Sequence, residues 1–185
     1  MGKRPRINIK EVIGDGFIPT NQYGEIFQKN AASENAKHHC TYEELLSFEF
    51  WIDKHYVNRN NFGDENGERD GIHITVVEHL IKKSFKHLFY YSLKHKNFSF
   101  INHPPKKTHN TRVVITDIEQ KLDNLNIVIE YHFLDFHKYE VTVITAMREN
   151  KFRLSNGQYN IQFNGNESSL MFHEKNNDIK IDEFY

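Results

Sequence analysis

Cysteine is almost absent from this chain of 185 residues, which contains only Cys40. A single cysteine excludes an internal disulfide framework and is typical of a reducing compartment. No apolar run approaches the roughly 20 residues that a membrane-spanning helix needs. The amino terminus, MGKRPRINIK, lacks the apolar segment of a secretory signal peptide. These absences predict a soluble, cytoplasmic protein with no membrane partner.

Motifs for nucleotides, metals and covalent catalysis are absent as well. The sequence contains no Walker A loop, no GxGxxG, no GxSxG, no HExxH and no CxxC pair. His38, His39 and Cys40 are metal-ligand residue types, but adjacent side chains diverge and no second cluster has suitable spacing. The sequence therefore predicts no metal site and no cofactor.

Charge is unevenly distributed, although the net charge of the whole chain is only −1. Between His79 and Thr116 there is no Asp or Glu, whereas the same stretch contains eight lysine or arginine residues and five histidines. A segregated basic surface on a neutral protein is typical of a local anion site. The alternative is a solvated helix face followed by a loop, and composition alone leaves both interpretations open.

Two capping-box patterns predict two helices. The first, Thr41 to Glu44, precedes apolar residues at helical spacing and predicts a helix that ends near Val57. The second, Thr75 to Glu78, predicts a helix that ends between residues 93 and 96. His79, Lys83 and His87 recur every fourth residue of this helix, so we expect them to share a face away from the apolar stripe.

Strand-like alternation replaces the helical period after residue 110. The segments predicted as strands are TRVVITDIEQK, LNIVIEYHFLDF, KYEVTVITAM, KFRLS and QYNIQF. Turn residues separate them, and Asn156-Gly157 is the strongest hairpin signal. Because the connections are short, we predict an α+β fold with amino-terminal helices followed by an antiparallel meander of four to five strands. The predicted divisions are an arm and helix over 1–70, a basic helix and meander over 71–165, and a polar tail over 166–185.

The order of these elements resembles that of a known superfamily. A histidine-bearing helix leads to FSFINHPPKK and then to the strands RVVITDI, NIVIEYHF and EVTVITAMRENKF. This order resembles the barnase–EndoU–colicin–RelE superfamily of metal-independent ribonucleases, in particular its phage-associated, RegB-like branch. The resemblance covers residues 72–165. It implies a RelE-like fold, a phage- or toxin-associated endoribonuclease, and residence in the host bacterial cytoplasm if a phage encodes the chain.

Metal-free RNA cleavage needs a base for the ribose 2′-OH, an acid for the leaving oxygen, and positive charge at the phosphate. Histidine can serve as either acid or base near neutral pH, and lysine and arginine can supply the charge. Thr145 and Arg148 enter through the resemblance, because the strand that they end often belongs to the site in those families. The predicted catalytic residues are His79, His87, Arg112, His132 and Thr145. The predicted RNA-binding residues are Lys82, Lys83, Lys86, Lys106, Lys107 and Arg148.

Three functions remain open at this stage. The first is an endoribonuclease acting on single-stranded RNA, with the ribosome or an inhibitor protein as further partners. The second is a nucleic-acid-binding module without catalysis, and the third is a phage structural or protein-interaction protein. Convergence of the predicted histidines with a cation in one cleft would favour the first function.

Overall fold

A computed structural model describes residues 17–18, 26–43, 47–62, 71–104, 110–118 and 122–185. Over these residues the chain forms two helices, α1 (Lys54–Phe62) and α2 (Ile74–Lys94). It also forms ten strands: β1 (Phe17–Ile18), β2 (Ala36–Glu43), β3 (Ser47–Asp53), β4 (Ile101–Asn102), β5 (Val113–Asp117), β6 (Leu125–Asp135), β7 (Lys138–Arg148), β8 (Tyr159–Asn164), β9 (Glu167–Glu174) and β10 (Asn177–Phe184). Neither helix in the described part has both the length and the apolar character that crossing a membrane requires.

The strands form a mixed sheet, so the predicted fold of amino-terminal helices and an antiparallel meander is wrong. Hydrogen bonds connect the strands in the order β1-β2-β3-β7-β6-β5-β8-β9-β10, and β4 pairs with β6. The pairs β3–β7, β4–β6 and β5–β8 are parallel. Short connections exclude parallel pairing only between consecutive strands, and these parallel partners are distant in the chain.

The helix predicted between Thr41 and Val57 is also wrong. Residues 36–43 and 47–53 form the antiparallel pair β2 and β3, and α1 begins only at Lys54. Phe48 and Ile52 fit both a helical and an alternating period, Phe50 fits only the alternating one, and aromatic and β-branched residues favour the strand. The Asp53 side chain accepts a hydrogen bond from the backbone N–H of His55 at 2.7 Å, which caps α1 at its start.

The prediction of a long helix after Gly71 is confirmed by α2, which has 21 residues. The capping-box pattern predicts Thr75 as the N-cap, but the N-cap of α2 is His73. The His73 side chain accepts a hydrogen bond from the backbone N–H of Thr75. Val77, Leu80 and Leu88 are buried along one side, as the apolar stripe indicated.

The chain divides into two compact units, and the residues of β6 and of β7 are divided between them. The first unit comprises Met1–Arg69, Ile101–Asn110 and Glu130–Ile144. In it β3 pairs antiparallel with β2 and parallel with β7, and β4 pairs with the second half of β6. Ile52 and Val143 are fully buried in this unit.

The second unit comprises Asp70–Phe100, Thr111–Ile129 and Thr145–Tyr185. In it β5 pairs with β6 and β8, and β9 pairs with β8 and β10. The predicted strand KFRLS is irregular, although Gly157 does form a turn with φ of +82°. Residues 166–185, predicted to be a polar tail, form both β9 and β10.

Asp182 joins β10 to the end of α2. Its carboxylate accepts hydrogen bonds from Lys94 Nζ at 2.9 Å and from His95 Nε2 at 2.7 Å. Burial alone would raise the pKa of Asp182, but these hydrogen bonds outweigh burial and lower that pKa to about 2. A carboxyl pKa that is lower in the folded than in the unfolded chain stabilises the fold at pH values above the pKa of the unfolded chain. This stabilisation is lost as the pH falls toward 2.

We therefore expect Asp182→Asn to lower the free energy of unfolding by about 1–2 kcal/mol at pH 7. The difference from the wild type should shrink as the pH falls from 4 to 2.5. Urea unfolding of both proteins at several pH values measures this difference in the free energy of unfolding. Asp178→Asn is the matched control, because Asp178 pairs with His173 at an exposed site on the same strand and should contribute little. Equal losses in the two variants at pH 7 would contradict the assignment.

Candidate active site

A groove in the second unit lies between the first turns of α2 and the end of β5. Its volume is about 310 Å³, within the usual range for ligand pockets. The residues that line it are Thr75, Val76, His79, Leu80, Lys83 and Asp117. The groove therefore combines an imidazole, an ammonium group, a carboxylate and a hydroxyl, and these are the groups that acid–base chemistry on an anionic substrate requires.

Lys83 is held in place by several contacts. Its Nζ lies 3.8 Å from Asp117 Oδ1 and donates a hydrogen bond to the carbonyl of Gly165. The same ammonium lies 4.5 Å from the centre of the Phe163 ring, within range of a cation–π interaction. These contacts restrict the rotamers of a long side chain, so the groove has a positioned positive charge.

His79 is exposed and lines the groove from the second turn of α2. Thr75 is one turn before it and Lys83 one turn after, so the four-residue spacing brings all three side chains to the groove. This outcome agrees with the expectation that His79 and Lys83 share a face. A solvent-accessible histidine beside a cation can exchange protons with a bound substrate.

His87 departs from that face. Each step of four residues rotates a helical side chain by about 40°, so the rotation from His79 to His87 is about 80°. His87 is buried, its Nδ1 lies 2.8 Å from Ser168 Oγ, and its ring meets Phe163 and Phe184 edge-on. Burial, followed by the charges of Lys86 and Lys83, lowers its pKa. His87 is thus a neutral core residue, roughly 12 Å along the helix axis from His79.

Several lysines of α2 have intramolecular partners. Lys82 Nζ lies 3.6 Å from Glu78 Oε1. Lys86 Nζ lies 5.3 Å from the centre of the Phe184 ring, and Lys94 pairs with Asp182. The stretch without acidic residues is therefore less strongly basic in the folded protein than its composition indicates, because Glu78, Asp117 and Asp182 lie beside its cations.

The other predicted site residues of the second unit lie outside the groove lining. Arg112 is exposed immediately before β5, and Thr145 is half-buried in β7. Arg148 donates from Nη1 to the carbonyl of Asp123 at 3.1 Å. Lys106 and Lys107 lie outside the described residues.

His132 belongs to the first unit, in a buried polar cluster. Its Nε2 lies 2.9 Å from Glu130 Oε2, and Asn110 donates to the same oxygen at 3.0 Å. Only 7% of His132 and 1% of Glu130 is exposed. A polymer cannot reach groups buried to this extent without rearrangement, so the cluster acts as an internal network.

Glu140 lies in the same unit and is also buried. Its carboxylate accepts hydrogen bonds from the backbone N–H groups of Ala31 and Ala32. Burial raises the pKa of Glu140. The hydrogen bond from the backbone N–H of Ala31 and the charge of His132 oppose that rise. The protonated form of Glu140 is therefore favoured more than in water.

Three carboxylates were not predicted from the sequence. Asp117 is the first acidic residue after the stretch without Asp or Glu, and it ends an apolar strand. This position in the sequence could have indicated Asp117 as a candidate site residue. Glu130 and Glu140 each interrupt an apolar strand, which can indicate a buried polar network.

Comparison with known proteins gives no family for this chain. No family model, no curated protein and no solved structure matches it.

Proposed function

We propose that this protein is an endoribonuclease that cleaves single-stranded RNA without a metal ion, and that the α2–β5 groove is its active site. The observation that carries the proposal is the presence of His79, Lys83 and Asp117 in one groove. Together these side chains fill the three roles that the reaction needs: a base, an acid and a charge at the phosphate.

Asp117 is the proposed base, because an aspartate carboxylate is normally ionised at neutral pH. It takes the proton of the ribose 2′-OH as the 2′ oxygen attacks the adjacent phosphorus. The bond from phosphorus to the 5′ oxygen then breaks, and protonated His79 gives its proton to that oxygen. The products are a 2′,3′-cyclic phosphate and a 5′-hydroxyl, so protons and electrons balance without a co-reactant.

Lys83 stabilises the negative charge that develops on the phosphoryl oxygens. Thr75 lies in the first turn of α2, where the helix dipole also favours an anion. DNA has no 2′-OH and cannot supply the nucleophile, so the chemistry selects RNA. The contacts of Lys82, Lys86 and Lys94 within the unit favour this local site over an extended basic binding face.

A chimaeric oligonucleotide tests the reaction. A DNA strand with one ribose should be cleaved only on the 3′ side of that ribose, in the presence of EDTA, and the 5′ fragment should carry a 2′,3′-cyclic phosphate. The all-DNA strand is the matched control and should remain intact. Cleavage of both strands, or cleavage that requires added magnesium, would contradict the proposed mechanism.

A further inference from the structure

Strand β10 forms one edge of the sheet in the part of the chain that the structure describes. It pairs with β9 on one side, and no described strand pairs with its other side. A cross-strand row of apolar side chains leads to this edge. The rings of Tyr159 and Phe172 lie 4.7 Å apart, and Phe172 is the strand partner of Ile179 on β10. Ile179 is 44% exposed, so the row ends at a strand edge that can pair with another chain.

Hydrogen bonds within the sheet determine which backbone groups of β10 face outward. The backbone of His173 on β9 bonds to residues 157–158, on the side away from β10. Successive residues of an antiparallel strand alternate in this direction, so the residue before His173 bonds to β10. That residue is the partner of Ile179, and the peptide groups of Ile179 therefore point back to β9. The backbone N–H and C=O groups of Asp178 and Lys180 point outward.

We propose that two copies of this chain form a dimer by pairing their β10 edges antiparallel about Ile179. In this register Ile179 lies opposite Ile179 of the second copy, which continues the apolar row across the two-fold axis. Each Asp178 lies opposite Lys180 of the other copy, and the outward peptide groups of these residues supply four backbone hydrogen bonds. Opposite charges directly across two strands also stabilise the pairing. The proposal does not depend on the ribonuclease function.

The charges of β10 select this register. Residues with outward peptide groups must lie opposite one another, so the two-fold axis passes through a residue of β10. An axis at Asp178 or at Lys180 would place like charges directly opposite, which is unfavourable. A bulge between Lys180 and Asp182 ends the regular edge beyond them. Only the axis at Ile179 combines opposite charges with an apolar pair.

The same charges favour a second copy as the occupant, because each copy supplies both members of the Asp178–Lys180 pair. Within one chain Asp178 contacts His173 and Lys180 contacts Glu183, but the side chains of Asp178 and Lys180 remain 47% and 50% exposed. These charges are therefore accessible to a neighbouring copy. The unfolding comparison that uses Asp178→Asn as a control is accordingly made at a concentration at which the wild type is monomeric.

Cross-linking tests the position of the axis. Directly opposite residues that share no hydrogen bond have Cα atoms about 4.5 Å apart, within the range for a disulfide. Ile179→Cys should therefore give a covalent dimer on mild oxidation, and Cys40 does not compete because it is buried. Ile181→Cys is the matched control, because Ile181 is 40% exposed but would lie roughly 14 Å from its counterpart. Equal cross-linking of the two variants would contradict the register.

A charge swap tests both the dimer and its register. Asp178→Lys places lysine opposite lysine, and Lys180→Asp places aspartate opposite aspartate. Each variant alone should dimerise about tenfold more weakly than the wild type in sedimentation equilibrium. An equimolar mixture of the two variants restores opposite charges at both pairs and should recover the dimer, which also shows that both variants are folded. A wild type that is monomeric at every concentration, variants that dimerise as the wild type does, or a mixture that does not recover would overturn the proposal.

Discussion

Replacement of His79 by alanine is expected to lower the single-turnover rate of RNA cleavage by about 10²–10⁴-fold, the usual cost of losing a proton-transfer group. His79 is exposed on α2, so the substitution leaves the core intact and should change the melting temperature little. RNA affinity should remain near that of the wild type, because Lys83 still supplies the charge at the phosphate.

The control for this variant is His55→Ala. His55 is also an exposed histidine on a helix, but it lies on α1 in the first unit. This variant should cleave at the wild-type rate. Circular dichroism and thermal unfolding of both variants then separate a chemical effect from a folding effect. A His79→Ala protein that is folded and fully active would exclude His79 from the reaction.

Asp117→Asn should reduce the cleavage rate by a similar factor, about 10²–10⁴-fold, because asparagine keeps the shape of the side chain but cannot accept the 2′-OH proton. The substitution also removes the ion pair with Lys83, which is 3.8 Å long and partly exposed. Such pairs contribute at most about 1 kcal/mol to stability, so the variant should fold.

A Lys83→Met variant separates the two roles of Asp117. If Asp117 serves only to position Lys83, then the double variant should cleave no more slowly than Lys83→Met alone. If Asp117 is the base, the double variant should be slower than Lys83→Met alone. Lys86→Met is the matched control, since Lys86 lies on the same helix outside the groove lining and should change the rate little.

The sequence was sufficient for elements whose patterns are local. The stripe of Val77, Leu80 and Leu88 predicts α2, and the β-branched runs predict β5, β6 and β7. It was insufficient for strand pairing, because the parallel partners of β3 and β5 lie far away in the chain and no local pattern encodes them. The segment that forms β3 was assigned to a helix because Phe48 and Ile52 fit both periods, and only its pairing with β2 and β7 decides between them.

The sequence likewise predicted only part of the candidate site. Helical spacing correctly grouped His79 with Lys83, whereas the drift of 40° for each four-residue step and the packing of Phe163 and Phe184 bring His87 into the core. Asp117 approaches α2 only through the tertiary packing of β5. Lys83 and Lys94, two cations of the stretch without acidic residues, pair with carboxylates of β5 and β10, and sequence spacing does not reveal these pairs.

The most direct test of the proposed acid–base pair is cleavage of an RNA in which sulfur replaces the 5′ leaving oxygen. A thiolate leaves without protonation, because a thiol has a pKa near 8.5 whereas an alcohol is a far weaker acid. The proposed mechanism predicts that His79→Ala cleaves this RNA at nearly the wild-type rate, whereas Asp117→Asn remains slow because its missing base acts on the 2′-OH. Equal impairment of His79→Ala on the oxygen and sulfur substrates would contradict the role of His79 as the acid.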